Sequence, residues 1–189
     1  MQNKLRFAAF AGIVYLVSFL PELTAEIIHE YQGGTAFTSF ILMITYIVSL
    51  VATIAFLYGF IIIGNKLKNN LLVVGAIIII LTSIFYYVYS WYTLDMYEVE
   101  DKIFGGSVLL LYGFSGILFG AGIYQLRLKL GGLASTAGIL EIIIGISFVT
   151  IVLFLLGLIL SIPAVILEVL LLLRVAGMEE FQDDLSVEA

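Results

Sequence analysis

The chain of 189 residues has no cysteine, one histidine and only two prolines. Without thiols there is no disulfide framework, no thiolate metal centre and no cysteine nucleophile. A lone histidine makes most hydrolase and oxidoreductase schemes hard to build. Charge is scarce as well: Asp, Glu, Lys and Arg make up 12% of the residues, against about a quarter in soluble domains. The formal net charge of −6 argues against nucleic acid as a partner, because such binders carry basic patches. No P-loop, G-x-S-x-G or H-E-x-x-H motif occurs. The chain therefore has no recognisable catalytic set, and neither a cofactor nor a metal is expected.

What fills the sequence instead is apolar: 62% of it is hydrophobic. So few charges cannot cover that much apolar surface in water, so the class is integral membrane. A spanning helix needs about 20 apolar residues to cross about 30 Å of hydrocarbon. Spans are expected at 7–29, 37–63, 71–94, 105–125, 134–156 and 158–176, in one transmembrane domain covering 1–176. The fold class is all-α, a polytopic bundle of six spanning helices. Lys4, Arg6, Lys66, Lys68, Arg127 and Lys129 all fall on one side of these spans, while Lys102 sits in the acidic segment Asp95 to Lys102. The positive-inside rule then puts both termini in the cytoplasm of a multi-pass cell-membrane protein.

The apolar stretch 133–173 is long enough for two spans. A hairpin near Leu155–Gly157 gives two spans and brings Arg174 to the inner face. A break at Ser161-Ile162-Pro163 would leave a final segment too short to cross, giving five spans. At the N-terminus, Lys4, Arg6 and the run Phe7–Leu20 resemble a signal peptide. Leu23-Thr24-Ala25 is a poor cleavage site, so an uncleaved helix is expected. Residues 177–189 form an acidic, mobile tail.

Packing between helices in lipid relies on small residues and polar contacts. Gly113, Gly116 and Gly120 in span four, and Gly138 and Gly145 in span five, are the packing candidates. At 100° per residue, Ala8, Ala11, Tyr15, Ser18, Glu22, Glu26 and His29 share one face of span one, which should point at other helices. Pro21 is expected to kink that span. Glu26-Ile27-Ile28-His29 has the E-x-x-H spacing of di-iron bundles, but the second motif such a site needs is missing. An interfacial polar cluster is the plain reading, and a proton or cation site at Glu22, Glu26 and His29 the functional one. Glu141 and Glu168 lie in small-residue stripes of spans five and six, at matching depth if the two form a hairpin. Carboxylates in hydrocarbon are functional candidates by default. The pair reads either as a proton- or cation-coupled site or as a hydrogen-bonded structural pair, with Arg127 or Arg174 as the nearby cations. Glu22 and Glu26 belong near the opposite boundary, so the two clusters should not form one compact centre. Tyr86, Tyr87, Tyr89, Trp91 and Tyr92 crowd the end of span three, as in an interfacial aromatic belt. A cage for an outer ligand is the alternative.

The run from Ala55 to Ile79, and that from Gly138 to Leu172 with its Gly-Ile-Leu-Glu start, resemble archaeal multi-pass membrane families of unknown function. That resemblance rests on Gly, Leu and Ile patterning and implies no activity. The six spans and chain length are also similar to the substrate-binding subunits of energy-coupling-factor vitamin transporters. Those carry spaced alanines on the first span, to which Ala8 and Gly12 are only a loose counterpart. The function expected first is a non-enzymatic scaffold or small subunit of a larger membrane complex, with the bilayer and other subunits or further copies as partners. The second is a proton- or cation-coupled transporter, or the substrate-binding subunit of one.

Overall fold

A computed structural model describes residues 1–32, 35–92 and 99–178. Among these described residues seven helices follow one another: α1 Gln2–Gln32, α2 Ala36–Lys66, α3 Asn70–Tyr92, α4 Val99–Gln125, α5 Arg127–Leu130, α6 Gly132–Val149 and α7 Phe154–Ala176. All but the single-turn α5 are long and apolar enough to cross a membrane. The protein is an all-α, multi-pass membrane protein with six spans. Glu98 and the acidic tail from Glu179 onward lie outside the described residues.

The six spans close into a ring. Each packs chiefly on its neighbours in the chain, and α7 closes the circle against α1. With an even number of spans, the start of α1 and the end of α7 lie at one end. That end carries Lys4, Arg6, Lys66, Lys68, Arg127, Lys129 and Arg174, whereas Lys102 falls in the first turn of α4 at the far end.

Local signals explain the helix boundaries. Thr35 and Thr38 form a reciprocal capping box that starts α2. Asn69 accepts from the Leu72 amide at 3.1 Å and so caps α3. Its side-chain amide also donates to the Gly122 carbonyl at 2.8 Å, tying the start of α3 to α4. The segment between the fourth and fifth expected spans winds into α5 and turns at Gly131, whose φ of 69° suits glycine.

The C-terminal stretch divides into two helices, but earlier than expected. Thr150 caps α6 by donating to Ile146 and Ser147 carbonyls. Ile151 takes a left-handed φ of 55° and reverses the chain. The hairpin turn is therefore at 150–153 rather than 155–157, and the fifth span ends at Val149 rather than 156. Pro163 lies inside α7, on its exposed face, without ending it; spanning helices tolerate such breaks in the hydrogen-bond ladder.

Glycine decides which helices come closest. A Cβ on Gly138 would sit 2.5 Å from the Tyr124 amide nitrogen and 2.7 Å from the Gly120 oxygen. One on Gly145 would sit 2.6 Å from the Gly113 oxygen. The glycine stripe of α6 thus faces α4, not α7 as the hairpin reading of spans five and six implied. The reason is register: Gly113 and Gly120 are two turns apart, as are Gly138 and Gly145, so the bare backbones meet at two levels. Gly75 and Gly122 play the same part between α3 and α4, against the backbones of Phe119 and Leu72.

At the end carrying the termini, the interior is solid. Phe60 packs edge-on against Phe56 and Phe119, with centroids 5.5 and 5.1 Å apart. Leu5, Ile63, Leu72, Ile123, Leu171 and Leu172 complete this core, each fully buried.

Candidate functional site

The small, polar face of α1 turns inward. Ala8, Ala11, Ser18 and Glu22 are buried, while Phe10, Val17, Leu20 and Ile27 face outward. In the half of the bundle away from the termini this face brings two carboxylates against α2 and α3. Glu26 accepts from the Tyr46 hydroxyl at 2.9 Å and from the Tyr86 hydroxyl at 3.2 Å. One turn deeper, Glu22 accepts from Ser49, and Ser49 lies 3.0 Å from the Ser18 hydroxyl. The Tyr87 hydroxyl stands 3.5 Å from the Glu22 carboxylate. His29 is half-buried one turn beyond Glu26. Among the described residues, no group of three or more acids and histidines is placed to hold a metal ion.

The expected aromatic belt on α3 is therefore split. Tyr92 and Trp91 are 82% and 49% exposed and suit a membrane boundary, whereas Tyr87 is 8% exposed. Tyr86 and Tyr87 point into the bundle because the buried carboxylates of α1 need donors. Tyr87 also packs against Tyr46 and Tyr86, with centroids 5.5 and 5.2 Å away.

Beneath this cluster is a cavity of about 150 Å³, walled by all six spans. Its polar wall consists of Tyr15 from α1, Thr53 from α2, Ser83 and Tyr87 from α3, Tyr112 from α4, and Ser161 from α7. Glu141 of α6 and Glu168 of α7 also line it. Phe56 and Phe119 border it on the side of the solid core.

The Glu141 and Glu168 carboxyls lie within hydrogen-bonding reach of each other. An ionised carboxylate only accepts, so a carboxyl–carboxyl hydrogen bond requires one proton shared by the two groups. Bare backbone makes room for the pair. A Cβ on Gly120 would lie 2.8 Å from the Glu141 Cβ, and one on Gly116 3.7 Å from its Oε2. Two polar atoms on the cavity wall have no protein partner: Glu168 Oε1, on a residue 2% exposed, and Thr53 Oγ1, on a residue 7% exposed. Neither arginine proposed as a counter-charge is there. Arg127 stacks over the Tyr124 ring at 4.0 Å, and Arg174 is exposed at the end of α7.

No family model, curated protein or solved structure matches this chain.

The two acid clusters stay distinct, at different depths. Between them lie groups that sequence reasoning did not single out as site residues: Tyr112, Thr53 and Ser83. Tyr112 donates to Ser83 at 2.9 Å, and Tyr15 lies within electrostatic reach of Tyr112, Glu22, Glu141 and Glu168. A polar residue every third or fourth position in the middle of an apolar helix was the available signal. Thr53, Ser83 and Tyr112 each fit it. Asn69 was legible only as a loop residue, because its bond to Gly122 spans 53 positions.

Proposed function

We propose that this protein is a small proton-coupled carrier, with the Glu141–Glu168 pair as its proton site and the central cavity as its solute site. The observation that carries the reading is the unpartnered Oε1 of Glu168, buried beside a shared-proton carboxyl pair on a cavity walled by all six spans. A carboxylate in hydrocarbon costs at least about 2.5 kcal/mol, and an unsatisfied buried acceptor about 1–3 kcal/mol. A purely structural contact between α6 and α7 would avoid both costs with apolar side chains.

The cavity selects by size and chemistry. At about 150 Å³ it matches a void that holds a benzene-sized molecule. Glu168 Oε1 accepts, and the Thr53 hydroxyl can donate or accept. The fitting solute is small, carries an N–H or ammonium donor, and displaces the shared proton when it binds. The Phe56–Phe60–Phe119 core separates the cavity from the end that carries the termini. The seven basic residues at that end favour the cytoplasmic side for it, which leaves the cavity addressed from outside.

The test uses proteoliposomes adsorbed on a solid-supported membrane. A pH step should drive a transient charge displacement as the carboxyl pair gains or loses its proton. Methylammonium should compete with that displacement. Glu168→Gln should abolish both responses while the protein remains folded. Identical traces from wild type and Glu168→Gln would refute the proposal.

A second reading, a subunit of a larger membrane assembly, draws on α4. A Cβ on Gly105 or Gly106 would meet nothing within 4 Å, so the outer part of α4 leaves bare backbone open to another helix. Co-purification of a stoichiometric partner from native membranes, lost in Gly106→Leu, is its test.

A further inference from the structure

Glu168 is buried and Glu141 half-buried, and the phenylalanine core closes one side of their cavity, so protons need a route from the other side. The wall hydroxyls line up in that direction. Glu26, at the far end, is held by Tyr46 and Tyr86. Glu22 is next, bonded to Ser49 and approached by Tyr87. Tyr87 lines the cavity together with Tyr15, Tyr112, Glu141 and Glu168. Every element around Glu22 contributes a polar group: Tyr15, Ser18 and Glu26 from α1, Tyr46 and Ser49 from α2, Tyr86 and Tyr87 from α3. Tyr112 on α4 is within electrostatic reach, and His29 lies beyond Glu26. No lysine or arginine side chain is among the groups these contacts bring to Glu22.

We infer that Glu22 is a second proton-exchange site, and that Tyr87 is the residue passing protons between it and the Glu141–Glu168 pair across the cavity. The inference rests on the carrier reading above and supplies its access route. Each hydroxyl accepts one proton and releases its own, so one proton leaves Glu22 and one arrives at the inner pair, with no redox change. The cavity spans the remaining distance; at about 30 Å³ per molecule it has room for a short water chain between the tyrosine hydroxyls and Glu168 Oε1. Tyr87 is well suited to the role because its ring packs against both Tyr46 and Tyr86 while its hydroxyl reaches Glu22. Tyr87 is here a positioning and relay residue, distinct from the carboxyls that hold the proton.

The experiment is time-resolved infrared spectroscopy of the reconstituted protein after transfer into D₂O. The carbonyl band of a protonated carboxyl that disappears in Glu168→Gln belongs to the inner pair, and its shift on deuteration reports proton exchange there. Tyr87→Phe keeps the ring and removes only the hydroxyl, and Glu22→Gln keeps the shape and removes the proton site. Each should slow exchange at the inner pair at least tenfold. Ser115→Ala is the control, since that hydroxyl bonds only within α4, to Leu111 and Tyr112 carbonyls; it should exchange at the wild-type rate. Wild-type rates in both Tyr87→Phe and Glu22→Gln would overturn the relay and leave the carrier reading standing. Absence of any band removed by Glu168→Gln would overturn the carrier reading itself. Should Glu22→Gln fail to fold, Tyr87→Phe decides the question alone.

Discussion

The α4–α6 contact offers a sharp test of how this bundle is held together. A methyl group on Gly145 would be placed 2.6 Å from the Gly113 carbonyl oxygen and 2.8 Å from the Ile117 amide nitrogen. Both neighbours are backbone, so neither can rotate away. Restoring ordinary contact, which begins near 3.4 Å, requires the two helices to part by about 0.8 Å along that line. Parting them also loosens the matching contact at Gly120 and Gly138, because α4 and α6 are rigid between the two levels. Overpacking of this kind costs about 1–3 kcal/mol. Gly106→Ala is the internal control: its Cβ meets nothing within 4 Å, and replacing glycine in a helix gains up to about 1 kcal/mol in propensity. The prediction is that Gly145→Ala destabilises by about 1–3 kcal/mol while Gly106→Ala is neutral or stabilising. Reversible unfolding in mixed SDS micelles, followed by far-ultraviolet circular dichroism, measures both. Gly113→Ala/Gly145→Ala should cost less than the sum of its single changes, since one displacement relieves both clashes. Equal stability of Gly145→Ala and Gly106→Ala would refute the close backbone contact.

Further outcomes follow from other parts of the bundle. Thr53→Val removes a buried hydroxyl that has no protein partner, so it should leave stability unchanged or raise it by up to about 1 kcal/mol while weakening the methylammonium response; destabilisation in the same SDS titration would contradict this. Ile151→Gly should stabilise by about 1 kcal/mol, because a β-branched residue at φ 55° is strained in a way glycine is not. A Glu141→Cys/Glu168→Cys variant, in a chain with no native cysteine, should crosslink with a short bridging reagent; failure would show that the two acids do not face each other. For orientation, an impermeant thiol reagent added to intact cells should label Glu98→Cys and spare Lys68→Cys, and the reverse pattern would overturn cytoplasmic termini.

Composition and periodicity determined the class, the number of spans and the inward face of α1. These depend on free-energy differences that local sequence carries. About 20 apolar residues either cross or do not, and a polar stripe on an apolar helix must turn away from lipid. The sequence also showed which carboxyls lie within spans. It did not show what those carboxyls meet. The glycines of α6 were legible as a close-packing stripe, but whether α4 or α7 would occupy it depended on matching glycine spacing across helices distant in sequence. The hairpin turn lies at 150–153, ahead of the expected 155–157, because Thr150 and Ile151, neither a conventional breaker, end α6 through side-chain capping and a left-handed backbone. Tyr86 and Tyr87 read as membrane-boundary aromatics because their ring chemistry suits that place equally well. Only the closed ring of helices, which sets α3 beside α2 and within reach of the α1 carboxylates, directs their hydroxyls to Glu26 and Glu22. The cavity is tertiary in the same sense: each of the six spans contributes part of its wall, and no single helix encodes it.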